Sequence, residues 1–148
     1  MKKIIFVCTG NTCRSPMAEI ILKNMLKASG VEGVRVSSAG LAVSETENKI
    51  NKNSAKAVRN LGSKFSSFKS KQLTPQMIKK ATVVICMTAE QKRYLSAFNN
   101  VCSMGDIDGC ENVLDPYGGD LALYEKTAKQ IECACQIIKN KIMELNGR

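Results

Sequence analysis

The chain contains no histidine. That absence removes Cys-His and Ser-His catalysis and most zinc chemistry, because each uses an imidazole as base or ligand. Tryptophan is missing as well, and three tyrosines and four phenylalanines leave little to stack on bases. Without a nucleic-acid-binding motif, specific nucleic-acid recognition is not expected, despite a net charge of +9. The basic residues are scattered over 23–27, 49–71, 79–93 and 126–148. That spread suits a solvated surface and the steering of anionic partners, phosphorylated proteins among them. Long apolar runs are absent too. Nothing approaches the ~20 residues of a membrane span. At the start, the apolar run from Ile4 to Cys8 has five residues before polar Thr9, Gly10 and Asn11. A signal-peptide core needs ~7–15. No repeat, linker or low-complexity tract divides the sequence. The expectation is a cytoplasmic protein with no membrane partner.

What is present fits one globular unit. The 148 residues are 44% apolar and read as a single domain, 1–148. Seven cysteines, at 8, 13, 86, 102, 110, 133 and 135, form an odd set, several of them inside apolar runs. This is the pattern of a reduced intracellular protein rather than a disulfide framework. Cys133 and Cys135 lie two apart on a predicted helix, a poor spacing for a metal, so both are assigned to core packing. Neither a metal nor a cofactor is expected.

Strand-like runs occur at 3–8, 34–38, 81–87 and 100–104, with helical patterns at 16–29, 53–61, 74–80, 89–98 and 121–145. In the last helix Leu123, Ala128, Ile131, Cys135, Ile138 and Ile142 recur at steps that suit one buried face. Strands alternating with helices predict βαβ units: an α/β fold with a parallel sheet and helices on both faces. Ligands of such folds bind beyond the carboxyl ends of the strands. Cys8 lies at such an end.

The segment CTGNTCRSP that begins at Cys8 carries the chemistry. Ser15 suits a helix N-cap and Pro16 the first helical position. Gly10 and Asn11 both tolerate a positive φ, so the turn can aim several backbone N–H groups inward as an anion nest at the positive end of a helix. Thr9, Gly10, Asn11, Thr12, Cys13 and Ser15 make up this phosphate-binding loop. Arg14 can grip two phosphate oxygens in a fork. Such a nest favours the thiolate of Cys8. With no imidazole in the chain, the dipoles, Arg14 and the Ser15 hydroxyl must activate it. A thiolate beside a phosphate-shaped site implies attack on phosphorus and a phosphocysteine intermediate. The leaving group then needs a carboxylic acid. Spacing alone leaves Asp106, Asp108 and Asp115 open for that role.

From Cys8 to Glu19 the sequence (CTGNTCRSPMAE) resembles the signature of the low-molecular-weight protein tyrosine phosphatases and their bacterial protein-arginine-phosphatase branch. The likeness continues in VSSAG at 36–40, VVICM at 83–87 and DPYG at 115–118. It implies a single flavodoxin-like domain with a four-stranded parallel sheet, Asp115 as the general acid and Tyr117 as a wall of the substrate pocket. Tyrosine-specific members carry an aliphatic residue where this chain has Thr12; the arginine branch has threonine. A hydroxyl suits a guanidinium better than a phenyl ring, so the resemblance favours phosphoarginine over phosphotyrosine as substrate. A family histidine near 66–70 is replaced by Ser67, Phe68 and Lys69. The unusually polar 43–53 is expected to border the pocket. Cys13 could close a reversible disulfide with Cys8 and protect it from over-oxidation.

A thiol-dependent arsenate reductase shares this fold and a similar loop. It needs further cysteines to relay a disulfide, and after Cys86 the next is Cys102. A phosphoprotein-binding module would not need Cys8, Arg14 and Asp115 together.

Overall fold

The computed structural model describes residues 1–146. Its elements run β1 (Lys2–Cys8), α1 (Arg14–Ala28), β2 (Val34–Gly40), α2 (Lys52–Asn60), α3 (Pro75–Lys80), β3 (Val83–Cys86), α4 (Ala89–Arg93), β4 (Val101–Ser103) and α5 (Leu121–Asn146). The sheet has the order β2-β1-β3-β4 and every pairing is parallel. This is the α/β architecture that the alternating pattern predicts.

β1 is apolar on both faces because both are covered. Ile4, Phe6 and Cys8 face one core with Met17, Leu22, Val58 and Ile131 of α1, α2 and α5. Ile5 and Val7 face a second core with Ile78 of α3 and Leu95 just past α4. From β1 the chain crosses to β2 on one side, then returns to β3 on the other. The end of β1 is therefore the switch point where such sheets open a crevice. Cys8 sits there.

Helix starts follow local chemistry. Asn51 caps α2 by accepting from the backbone N–H groups of Asn53 and Ser54. Thr74 caps α3, with Pro75 in its first turn, and Thr88 with Gln91 forms a capping box on α4.

Four expectations need correction. α1 starts at Arg14 with Cys13 as N-cap and no side-chain cap, so Ser15 is the second helical residue and Pro16 the third. The Ser15 hydroxyl is engaged elsewhere, as described below. α4 is shorter than 89–98, because the chain beyond Arg93 tightens into three-residue turns such as Leu95 N–H to Lys92 C=O and Phe98 N–H to Leu95 C=O. On α5 the buried stripe runs through Tyr124, Ala128, Ile131, Cys135, Ile138 and Ile142, and Leu123 is 41% exposed. Cys133 is exposed although Cys135 is buried. Residues two apart on a helix point about 200° apart and cannot share one face.

Candidate active site

The loop from Cys8 to Ser15 turns on Asn11, whose φ of +56° is the only positive value among the described non-glycine residues. Gly10, expected to share that role, does not use it. Asn11 is fully buried, and its side chain wires the loop. Its Oδ1 accepts from the Lys71 backbone N–H at 2.9 Å. A backbone N–H can only donate, so the amide orientation is fixed and both Nδ2 hydrogens point the other way. They reach Ser15 Oγ at 2.8 Å and Ser38 Oγ at 3.0 Å. Ser38 Oγ in turn donates to Glu19 Oε1 at 2.7 Å, and Lys23 Nζ lies 2.8 Å from the other Glu19 oxygen. Ser15 Oγ already accepts from Asn11, and Cys8 Sγ lies 2.8 Å away. A thiolate can only accept, so once Cys8 ionises it is the Ser15 hydrogen that spans this contact. The Asn11 carbonyl is held by Ser70 Oγ at 2.6 Å.

The sheet must let this loop approach. Gly40 pairs with Cys8 across the sheet, and a β-carbon on it would fall 2.9 Å from Thr9 O and 3.0 Å from Asn11 N. Only glycine fits there.

Arg14 is buried beside Cys8 and is aimed from two sides. Its Nη1 donates to Val113 C=O at 3.0 Å, and Nη2 lies 3.8 Å from Asp115 Oδ2. Nε is buried and has no partner among the described residues. A buried guanidinium donor left unpaired is costly, and an anion in the adjoining cleft would satisfy it. That cleft has a volume of about 170 Å³ and is lined by Cys8, Thr9, Gly10, Thr12 and Cys13 together with Arg14, Glu47, Asp115 and Tyr117. Tyr117 is 63% exposed and stands at the rim.

The three open carboxylates separate cleanly. Asp115 lines the cleft and accepts from the Tyr117 backbone N–H at 3.1 Å, on a turn completed by Gly118 at φ +85°. Asp106 instead pairs with Lys92 at 2.8 Å, and that hydrogen bond holds its carboxyl below the usual range. Neither Asp106 nor Asp108 lines the cleft.

All seven cysteines are free thiols. Cys13 lines the same cleft as Cys8, with its sulfur 3.7 Å from both Thr12 Oγ1 and Tyr124 Oη. Burial pushes the Cys13 thiol up. Cys86 faces the opposite core, where burial pushes its thiol up to about 12.

Sequence reasoning did not single out Glu19, Ser38, Ser70 or the Val113 carbonyl. Glu19 and Ser38 fall inside quoted motifs, but linear spacing carries no signal that they share one network. The polar segment 43–53 does border the cleft, through Glu47. A groove of about 800 Å³ also starts at Thr9, Arg14 and Asp115 and runs between α3 and α4 past Leu73 and Leu95. Among the described residues no helix is long and apolar enough to cross a membrane.

Residues 3–146 match the family described as low molecular weight phosphotyrosine protein phosphatase. A protein-arginine-phosphatase of Bacillus subtilis is 35% identical over 138 residues, covering 87% of this chain and 89% of that protein. The low molecular weight protein-tyrosine-phosphatase YfkJ of the same organism is 27% identical, with 92% of each chain covered. A structure of the arginine phosphatase YwlE, in which a serine replacing the active-site cysteine is phosphorylated, superposes with a TM-score of 0.86 at 32% identity, covering 94% of each chain. With the thiol, the guanidinium and the carboxylate gathered at one switch point, these matches place the chain in the low molecular weight phosphotyrosine protein phosphatase family, a protein phosphatase by class.

Proposed function

We propose that the protein is a cysteine-dependent phosphatase that hydrolyses phosphoarginine residues of proteins through a phosphocysteine intermediate. The observation that carries this is the arrangement around Cys8: Ser15 Oγ 2.8 Å from its sulfur, and Arg14, with its unpaired Nε, Thr12 and Asp115 lining the same cleft. In the first step the Cys8 thiolate attacks phosphorus, an S–P bond forms and the P–N bond breaks. Asp115 gives its proton to the departing guanidine nitrogen. Arg14 and the loop N–H groups hold the charge that develops on the phosphoryl oxygens. In the second step Asp115, now ionised, takes a proton from water, which attacks phosphorus and releases phosphate from sulfur. Cys13, close to Cys8, takes the redox role, closing a disulfide after oxidation.

Thr12 supports the arginine assignment, and so do the two arginine phosphatases at 35% and 32% identity. A disulfide relay through Cys86 is disfavoured by its burial and its raised thiol. Seven free thiols suit a reducing, cytoplasmic setting.

The test is a parallel assay on phosphoarginine and phosphotyrosine peptides with the wild type and Thr12→Ile. An aliphatic wall leaves guanidinium donors unpaired, at roughly 1–3 kcal/mol each, so the preference should shift toward phosphotyrosine by about tenfold or more. A wild type that prefers phosphotyrosine, with a ratio unmoved by Thr12→Ile, overturns the assignment.

A further inference from the structure

Segment 41–51 is stitched to the catalytic loop at both ends. Leu41 N–H donates to Cys8 C=O at 3.0 Å, Ala42 N–H to Thr9 C=O at 2.9 Å, and Asn51 N–H to Thr12 C=O at 2.8 Å. Between them Asn48 C=O accepts from Ser70 N–H at 3.0 Å, and Ser44 Oγ accepts from the N–H groups of Thr46 and Glu47, each at 3.1 Å. The backbone that carries Glu47 is therefore fixed relative to the loop. Glu47 lines the cleft with Cys8, Arg14 and Asp115, and also an adjoining recess of about 250 Å³ that Thr12 and Tyr117 share. Lys49 lines the recess but not the cleft, and Glu47 joins no ion pair among the described residues.

A second carboxylate at the mouth of a phosphate site works against a dianion. It has a physical use only when the substrate carries a cation next to its phosphoryl group. Phosphotyrosine has none; a phosphorylated guanidinium has one. Resting on the phosphoarginine reading above, we infer that Glu47 is a specificity residue, which pairs with the substrate guanidinium while the phosphoryl group sits in the loop and which repels aryl phosphates. Its contact exists in ground state and transition state alike, so it acts on KM rather than kcat.

The experiment is Glu47→Gln, assayed on a phosphoarginine peptide, a phosphotyrosine peptide and an aryl phosphate, with neutral flanking residues and at low and high salt. An exposed charge contact changes affinity by only a few-fold. KM for phosphoarginine should rise about threefold, KM for the two aryl substrates should fall by a similar factor, and both effects should shrink with salt. The preference then moves about tenfold in total. Three outcomes overturn the inference. If all three KM values fall, Glu47 merely repels phosphate. If wild type prefers phosphoarginine and the variant leaves every ratio unchanged, Glu47 plays no part, while the phosphoarginine reading stands. If wild type prefers phosphotyrosine, the reading and the inference fail together. The urea midpoint should not move, since Glu47 is exposed; Glu47→Asp, which keeps the charge, should keep the wild-type preference.

Discussion

Asn11 holds a left-handed backbone and routes the hydrogen bonds that reach Cys8, and a Gly, Ala and Asp series separates the two roles. Asn11→Ala removes the acceptor of the Lys71 N–H, which costs roughly 1–3 kcal/mol for a buried unpaired donor. It also places a methyl-bearing residue at φ +56°, at about 1 kcal/mol or more. The sum is about 2–4 kcal/mol, a large part of the ~5–15 kcal/mol that keeps a domain folded. Asn11→Gly relieves the backbone cost and should recover about 1 kcal/mol of that loss. Asn11→Asp keeps both the backbone and the Lys71 contact, yet turns an acceptor toward Ser15 and Ser38 in place of a donor. The Ser38 hydrogen is committed to Glu19, so the Ser15 hydrogen swings from Cys8 to the new carboxylate. A hydrogen bond to a charged group is worth about 1.5–3 kcal/mol, so kcat/KM should fall about tenfold to a hundredfold. Urea titrations at constant m report the stabilities, and turnover of an aryl phosphate with the rate of Cys8 alkylation reports the thiolate. Equal stability of the Ala and Gly variants would refute the backbone argument. Wild-type turnover and alkylation in Asn11→Asp would refute the routing through Ser15.

Three further predictions concern the site. Asp115→Asn should slow turnover most for poor leaving groups and least for an activated aryl phosphate, read as kcat/KM across a leaving-group series; equal losses would assign the acid elsewhere. After mild peroxide, thiol reductant should restore wild-type activity more fully than that of Cys13→Ala, where Cys8 climbs to the sulfinic state. Burial raises the Cys13 thiol, so at neutral pH it is mostly protonated and disulfide closure should accelerate as pH rises from 7 to 8, about tenfold per unit. A closure rate independent of pH over that interval would refute attack by the Cys13 thiolate.

The sequence by itself determined the order of strands and helices and the C-x5-R loop between a strand and a helix. These are short-range properties: period, propensity and capping act within a few residues. Where the stripe of α5 drifts, even that range falls short: periodicity puts Leu123, and residue type puts Cys133, in the core, and both lie outside it. Ser15 shows the same limit. Its type suits a cap, but its hydroxyl is claimed by Cys8 and Asn11 once the loop closes. Spacing leaves Asp106, Asp108 and Asp115 equivalent and only the family resemblance singles out Asp115; the tertiary structure adds that Asp115 is the one of the three that lies beside Arg14 in the cleft. It alone fixed the Asn11 amide, through a backbone N–H sixty residues away. The segment 43–53 is expected at the pocket, but which of its residues reaches the cleft is settled by the bonds of 41–51 to Cys8, Thr9 and Thr12, which hold Glu47 there. A buried polar group must find partners, and which groups are within reach is settled only when distant segments pack together.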